Sequence, residues 1–118
     1  MKLLIVGSRS IKDFDLSKHV PKGVDTIISG GAEGIDTIAE RYADKHRLSK
    51  YIIRPQYESY GKAAPLKRNE VMADMSDAIL VVWDGISRGT EHTIKYAKKS
   101  GKPLTVINIQ EQKKSALL

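Results

Sequence analysis

Five short, unbroken apolar runs constrain the fold of this chain more than any other feature. The runs are LLIV, TII, YII, AILVVW and LTVI, and they begin at residues 3, 26, 51, 78 and 104. Runs rich in Ile and Val, without alternating polar residues, are typical of strands that are buried on both faces of a parallel sheet. We therefore predict five parallel strands.

Helical patterns separate several of these runs. Apolar side chains recur with helical spacing over residues 35–46. A second helix is predicted over 65–76, because its first residue is a proline, which suits a first turn. A third is predicted over 89–101, where a glycine followed by Pro103 ends the helix. Residues 11–23 are less regular and predict a short helix at most.

Strands that alternate with helices predict right-handed crossovers and an α/β fold. We expect a single Rossmann-like domain over residues 1–107, with a five-stranded parallel sheet in the order 3-2-1-4-5 and helices on both faces. A chain of 118 residues is long enough to bury one core. Residues 108–118 are predicted to form a polar, flexible tail.

Composition bounds the location and the partners of the protein. The chain has no cysteine and no apolar run of membrane-spanning length, so we expect a cytoplasmic protein without a membrane partner. Its three histidines lack metal-ligand spacing, and neither a metal nor another cofactor is predicted. The net charge of +6 fits either a solvated lysine-rich surface or a nucleic-acid partner.

Three loops rich in Gly or Ser follow predicted strands 1, 2 and 4, and read GSRS, SGGAEG and DGISRGTE. In such sheets ligands bind where the winding reverses, here between strands 1 and 4. A glycine-rich strand-to-helix turn can form a phosphate-binding site, because its N–H groups are free and the helix dipole favours an anion there. The alternative is that the glycines only permit a tight turn and close packing. Asp36 is expected to be scaffolding of its loop.

Other side chains near these loops have two interpretations each. Arg9 and Arg88 could contact phosphate or could be exposed loop arginines. Tyr57 and Tyr60 could stack on a base, as could Trp83, for which a core or rim position is favoured.

Four motifs, taken in order, resemble the SLOG superfamily, and most closely its small YspA-like branch. They are GSRSIKDF, ISGGAEGIDTIAERYA, YGKAAPLKRNEVMADMSDAILVVWDG and SRGTEHTIKYAKKSGKPLTVI, and the resemblance covers residues 2–107. It implies recognition of a nucleotide or a nucleotide-derived ligand, and possible homodimers. The SGGAEGID and PLKRNEVMADMSDAILVV stretches are also similar to DNA-processing protein A, which implies single-stranded DNA binding.

The arginine-containing helix and the GTE turn are similar to the LOG phosphoribohydrolases. That similarity implies a catalytic pair of Arg68 and Glu91, both facing the crevice between strands 1 and 4. In LOG enzymes, however, the glutamate stands two places beyond the threonine, where this chain has His92. A displacement of one residue on a helix rotates a side chain by about 100°. Glu91 could therefore belong instead to a helix-end ion pair.

The candidate ligand-binding residues come from the three loops and from the helix before strand 4. They are Gly7, Ser8, Arg9, Ser29, Gly30, Gly31, Ala32, Gly34, Asp36, Arg68, Asn69, Gly85, Arg88, Gly89 and Thr90. The preferred hypothesis is binding or sensing of a phosphate-bearing nucleotide. The alternatives are single-stranded nucleic-acid binding and hydrolysis of nucleoside monophosphates.

Overall fold

A computed structural model describes residues 1–110, which form a five-stranded sheet and four α-helices. In chain order the elements are β1 (Lys2–Gly7), β2 (Thr26–Ser29), α1 (Ile35–Lys45), β3 (Ser49–Ile52), α2 (Tyr57–Tyr60), α3 (Ala64–Met75), β4 (Ala78–Trp83), α4 (Arg88–Ser100) and β5 (Leu104–Asn108). All neighbouring strands pair in parallel, and their order is β3-β2-β1-β4-β5. The predicted fold class and strand order are confirmed.

The core has two halves, one on each face of the sheet. Successive residues of β1 alternate between them, because side chains along a strand point to opposite faces. Leu3 and Ile5 pack in the half that α1 covers, whereas Leu4 and Val6 pack in the half that α3 and α4 cover. The central strands are therefore buried on both sides, as their unbroken apolar runs predict.

The two outer strands depart from that expectation. β3 begins two residues earlier than the YII run, and its first three residues are exposed. In β5, Thr105 and Val106 are exposed as well. Both are edge strands, so each pairs with a neighbour on one side only and is covered less completely than β1, β2 or β4.

The three predicted helices are present, with ends shifted by about one residue, as is usual for helix boundaries. Gly101 ends α4 in the left-handed conformation, with φ 73°. A single 3₁₀ turn at Leu16–Lys18 is the regular element of the irregular segment 11–23. The sequence did not predict α2, a single turn without a buried residue.

The domain continues slightly beyond the predicted end at residue 107. Asn108 is the last residue of β5, and Ile109 packs against the core half under α1. The rest of the predicted tail, 111–118, lies outside the described residues. Within residues 1–110, every helix is too short or too polar to cross a bilayer.

Candidate functional site

A crevice of about 420 Å³ lies at the carboxyl ends of β1 and β4. This volume is within the range of about 300–1,000 Å³ that is usual for small-molecule sites. The loops after β1, β2 and β4, together with the first turns of α3 and α4, form its walls. The crevice therefore lies at the point where the winding of the sheet reverses, as the fold predicts.

Two N–H groups of the glycine-rich loop after β2 have acceptors within the protein. The Gly31 N–H donates to Ser29 Oγ at 3.3 Å, and the Ala32 N–H donates to Asp36 Oδ2 at 3.2 Å. The Ile35 N–H, in the first turn of α1, donates to the Ser8 carbonyl at 3.4 Å. The protein's own acceptors thus occupy part of the phosphate site that the glycines suggest.

The glycines of this loop permit close packing. Gly34 has φ 74°, and a Cβ there would lie 2.5 Å from the Ser8 carbonyl oxygen. A Cβ on Gly30 would lie 2.7 Å from Arg68 Nη1 and 2.8 Å from Asp36 Oδ2. The bare backbone lets the loop fit between β1 and α3, so the packing interpretation accounts for these two glycines.

Asp36 is a buried carboxylate at the base of the crevice. Burial raises its pKa above the ordinary value, and the hydrogen bond from Ala32 and the positive charge of Arg68 oppose that rise. Its Oδ2 holds the loop after β2 in place. Asp36 therefore acts as loop scaffolding and as a negative charge close to Arg68.

Arg68 is a cation buried in the wall of the crevice, with 9% of its surface exposed. Its Nη1 donates to the Gly30 carbonyl at 2.7 Å and to the Ile53 carbonyl at 3.4 Å. Its Nε donates to Asn69 Oδ1 at 2.8 Å. Burial lowers the pKa of Arg68 and the charge of Asp36 opposes this, but a guanidinium stays protonated at neutral pH.

One terminal nitrogen of Arg68 remains available. Nη2 makes no hydrogen bond to any residue of 1–110. Arg68 ties together the loops after β2 and β3 and keeps donor capacity for a ligand.

The loop after β4 is organised by Asp84, a crevice residue that the sequence analysis missed. Its Oδ1 accepts the N–H groups of Ile86 and Ser87, both at 2.9 Å, and its Oδ2 accepts the Ser10 hydroxyl at 2.9 Å. Burial opposes ionisation, but these hydrogen bonds prevail and lower the pKa of Asp84 to about 2. The available signal was an Asp-Gly pair directly after a strand, which is typical of an Asx turn.

The first turn of α4 borders the crevice and has three N–H groups without an acceptor among residues 1–110. Ser87 precedes the helix and makes no side-chain cap; its hydroxyl pairs with that of Thr90 at 3.1 Å. The first intrahelical bond runs from the Glu91 N–H to the Ser87 carbonyl. The N–H groups of Arg88, Gly89 and Thr90 have no protein acceptor among residues 1–110. Gly89 and Thr90 line the crevice.

Trp83 fixes the same loop from the side of the sheet. Its indole Nε1 donates to the Ser87 carbonyl at 3.1 Å, and its ring packs against the core half under α3 and α4. The favoured expectation of a core or rim position thus describes Trp83 better than base stacking does.

The structure brings about half of the candidate residues to the crevice. The residues that line it are Gly7, Arg9, Ala32, Asp36, Arg68, Asn69, Gly89 and Thr90. Gly30 and Gly31 line a neighbouring compartment, which also includes Arg9, Ala32 and Arg68.

The other candidates lie behind or outside the crevice walls. Ser8, Ser29 and Gly34 are buried, and their polar atoms hold the loops to one another. Gly85 and Arg88 are exposed and are not among the residues that line the crevice.

Glu91 is not among the residues that line the crevice, so the structure does not bring it together with Arg68 there. Its carboxylate lies 2.9 Å from Lys95 Nζ, one turn further along α4. The hydrogen bond from Lys95 lowers the pKa of Glu91. Glu91 and Lys95 line a shallow surface depression with Arg88 and His92. The one-residue displacement rotates the carboxylate onto the outer face of the helix.

His92, at the position of the glutamate in LOG enzymes, does not replace it in the crevice. Its Nε2 lies 3.0 Å from Glu70 Oε2 on α3. No cluster of three or more His, Cys, Asp or Glu side chains in the described part of the chain could hold a metal ion.

Two curated proteins show sequence similarity to the chain. The Gene 61 protein of Mycobacterium phage D29 is 34% identical over 125 residues, which cover 94% of this chain and 98% of the phage protein. The uncharacterized SPbeta prophage-derived protein YoqJ of Bacillus subtilis (strain 168) is 36% identical over 64 residues, 53% of this chain and 37% of that protein. No family model and no solved structure matches the chain. The extent of the first similarity shows that the chain belongs to the same family as the Gene 61 protein of Mycobacterium phage D29.

Proposed function

We propose that the crevice binds a nucleotide or a nucleotide-derived ligand through its phosphate group. The observation that carries this proposal is the first turn of α4, where the N–H groups of Gly89 and Thr90 have no acceptor among residues 1–110 and both residues line a crevice that also contains Arg9 and Arg68. Unpaired N–H groups at a helix start favour an anion, and guanidinium groups add charge-assisted hydrogen bonds.

The charges of the crevice support an anionic ligand despite its two carboxylates. The oxygens of Asp84 accept three hydrogen bonds within the protein, and Asp36 is bound to the loop after β2. Arg9 is exposed and forms no ion pair among the described residues, so its donors are available to a ligand. Available hydrogen-bond donors thus exceed available acceptors where the ligand would lie.

Binding or sensing fits this geometry better than hydrolysis. A phosphoribohydrolase needs a carboxylate beside the sugar to stabilise an oxocarbenium-like transition state. Glu91 is directed away, and Asp36 and Asp84 are engaged in holding loops. The resemblance to the SLOG superfamily supports a nucleotide-derived ligand in particular.

Calorimetry and thermal unfolding with AMP and adenosine test the proposal. AMP should raise the melting temperature and adenosine should do so much less, because the phosphate supplies the main contacts and only bound ligand stabilises the folded state. Arg9→Ala should weaken AMP binding about tenfold, the effect of losing one charge-assisted contact. Arg41→Ala, which removes an exposed arginine from α1, is the matched control and should leave binding unchanged.

Equal responses to AMP and adenosine, or equal losses in the two arginine variants, would contradict the proposal. Salt dependence separates the nucleic-acid alternative. Oligonucleotide binding that neutralises several phosphates should weaken steeply with salt, whereas AMP binding should respond gently. Oligonucleotide binding that is steep in salt and lost in Arg9→Ala, without AMP binding, would favour the nucleic-acid alternative.

A further inference from the structure

A second compartment of about 290 Å³ adjoins the crevice at the carboxyl ends of β2 and β3. The two spaces share Arg9, Ala32 and Arg68 in their walls, so they meet at these residues. The added walls are the loop after β3, with Arg54, and the start of α2, with Tyr57. The two spaces therefore adjoin each other at the two shared arginines.

The second compartment is more cationic than the first. Arg9, Arg54 and Arg68 line it, and no Asp or Glu of residues 1–110 does. The first crevice, by contrast, is lined by two arginines, Arg9 and Arg68, and by two carboxylates, Asp36 and Asp84. Three guanidinium groups without a carboxylate make the second compartment a site for an anion.

Arg54 is free to serve such an anion. It is exposed, and its one hydrogen bond within the described range is a long one, from Nη1 to the Gly31 carbonyl at 3.5 Å. That bond leaves most of the five guanidinium donors open. Arg68, in contrast, has two of its three nitrogens committed to the protein.

Tyr57 gives the compartment an aromatic wall. It is 60% exposed, and the short helix that it begins has no buried residue. Core packing therefore does not explain its position. An exposed aromatic ring beside arginines suits the face of a nucleobase.

We propose that the second compartment binds a second nucleotide unit of the same ligand, with its phosphate at Arg54 and its base on Tyr57. The ligand class would then be a dinucleotide, and this inference rests on the proposed function of the first crevice. Of residues 1–110, Tyr57 is the one aromatic residue that lines the two spaces, which favours a two-unit ligand over a long single strand.

Calorimetry with AMP and with the linear dinucleotide pApA tests this inference. We expect pApA to bind about tenfold more tightly than AMP, the gain from one further charge-assisted contact and one stacked base. Arg54→Ala should reduce pApA affinity to nearly that of AMP and change AMP affinity by less than about twofold. Tyr57→Ala should lose part of the higher affinity for pApA. Tyr57→Phe should keep that affinity, because it retains the aromatic ring. Arg41→Ala is again the matched control.

The outcomes separate the two proposals. If neither AMP nor pApA binds, the proposed function fails and this inference fails with it. If AMP binds but pApA binds no more tightly, or Arg54→Ala weakens both ligands equally, the first crevice stands and the second compartment is wrongly assigned. If an eight-residue oligodeoxyadenylate binds much more tightly than pApA, the site holds a strand and the dinucleotide assignment is overturned.

Discussion

The loops after β2 and β4 are both glycine-containing turns from a strand into a helix, yet their N–H groups have different partners. In the loop after β2, Ser29 and Asp36 accept the N–H groups of Gly31 and Ala32. In the loop after β4, Asp84 holds the turn and leaves the first N–H groups of α4 open to the crevice. On the proposed function, the phosphate would therefore lie at the start of α4 rather than at Gly31 and Ala32.

The largest expected effect concerns the packing role of the loop after β2. Gly34→Ala should lower the free energy of unfolding by about 2 kcal/mol or more, because it adds a strained φ to a clash with the Ser8 carbonyl. Urea unfolding measures this loss. Gly23→Ala is the matched control, since Gly23 has φ 88° but no atom within 4 Å of its missing Cβ. Gly23→Ala should lower the free energy of unfolding by only about 1 kcal/mol. Equal losses of unfolding free energy in the two variants would show that packing at Gly34 is unimportant.

The two loop carboxylates should give opposite pH dependence. The lowered pKa of Asp84 stabilises the fold above its unfolded value of 3.8, and that contribution is lost as the pH falls from about 4 to about 2. We expect the difference in unfolding free energy between wild type and Asp84→Asn to shrink by about 1 to 2 kcal/mol over that range, allowing for solvent screening.

Asp36 should behave in the reverse sense. Because burial raises its folded pKa, the protonated form favours the folded state, and this contribution is lost as the pH rises from 3.8 through the folded pKa. Relative to Asp36→Asn, the wild type should therefore lose stability as the pH rises. Urea unfolding from about pH 2 to about pH 7 measures both series, and parallel slopes for the two variants would contradict the contrast between the loops.

A proline at the start of α4 tests the contrast between the two loops further, because it removes a single N–H group from the first turn of α4. Ser87 has φ −55° and ψ 120°, a conformation that suits the residue before proline, and proline is favoured at a first helical position. Arg88→Pro should therefore fold normally but bind AMP about tenfold more weakly than Arg88→Ala, which keeps the N–H. Calorimetry compares the two variants. Equal affinities would mean that this N–H does not hold the phosphate.

The smallest effect is expected at Glu91. Its carboxylate bonds Lys95 outside the crevice, so Glu91→Gln should leave AMP affinity unchanged within about twofold, as for an exposed pair. Incubation with nucleoside monophosphates should release no free base from either protein. Base release by the wild type that Glu91→Gln abolishes would instead make the protein a phosphoribohydrolase.

Local sequence patterns predicted the fold because they reflect the burial that creates it. The apolar runs of β1 and β4 are buried as expected, and Ile35, Ala39 and Ala43 of the helical stripe of α1 are buried as well. The exposure of β3 was not foreseen, because a short apolar run does not reveal whether a strand lies at an edge. The predicted strand order was enough to locate the crevice between β1 and β4, where the winding of the sheet reverses.

The partners of individual groups in the site could not be read from the sequence. The link from Arg68 to the Gly30 carbonyl joins residues 38 positions apart and depends on how α3 packs over the sheet. The importance of Asp84 depends on three donors from two loops. Motif spacing identified Gly89 and Thr90 as site residues. The direction of the Glu91 side chain, away from the crevice, became evident only from the position of α4 in the structure.

Titration of ¹⁵N-labelled protein with AMP tests the contrast between the two loops most directly, because each loop carries amides whose shifts report the position of the phosphate. The phosphate seat at α4 predicts that the amides of Gly89 and Thr90 move most, since they gain an anionic acceptor. The amides of Gly31 and Ala32 should move less, because they already bond Ser29 and Asp36. Larger shifts at Gly31 and Ala32 than at Gly89 and Thr90 would place the phosphate in the glycine-rich loop and contradict the assignment.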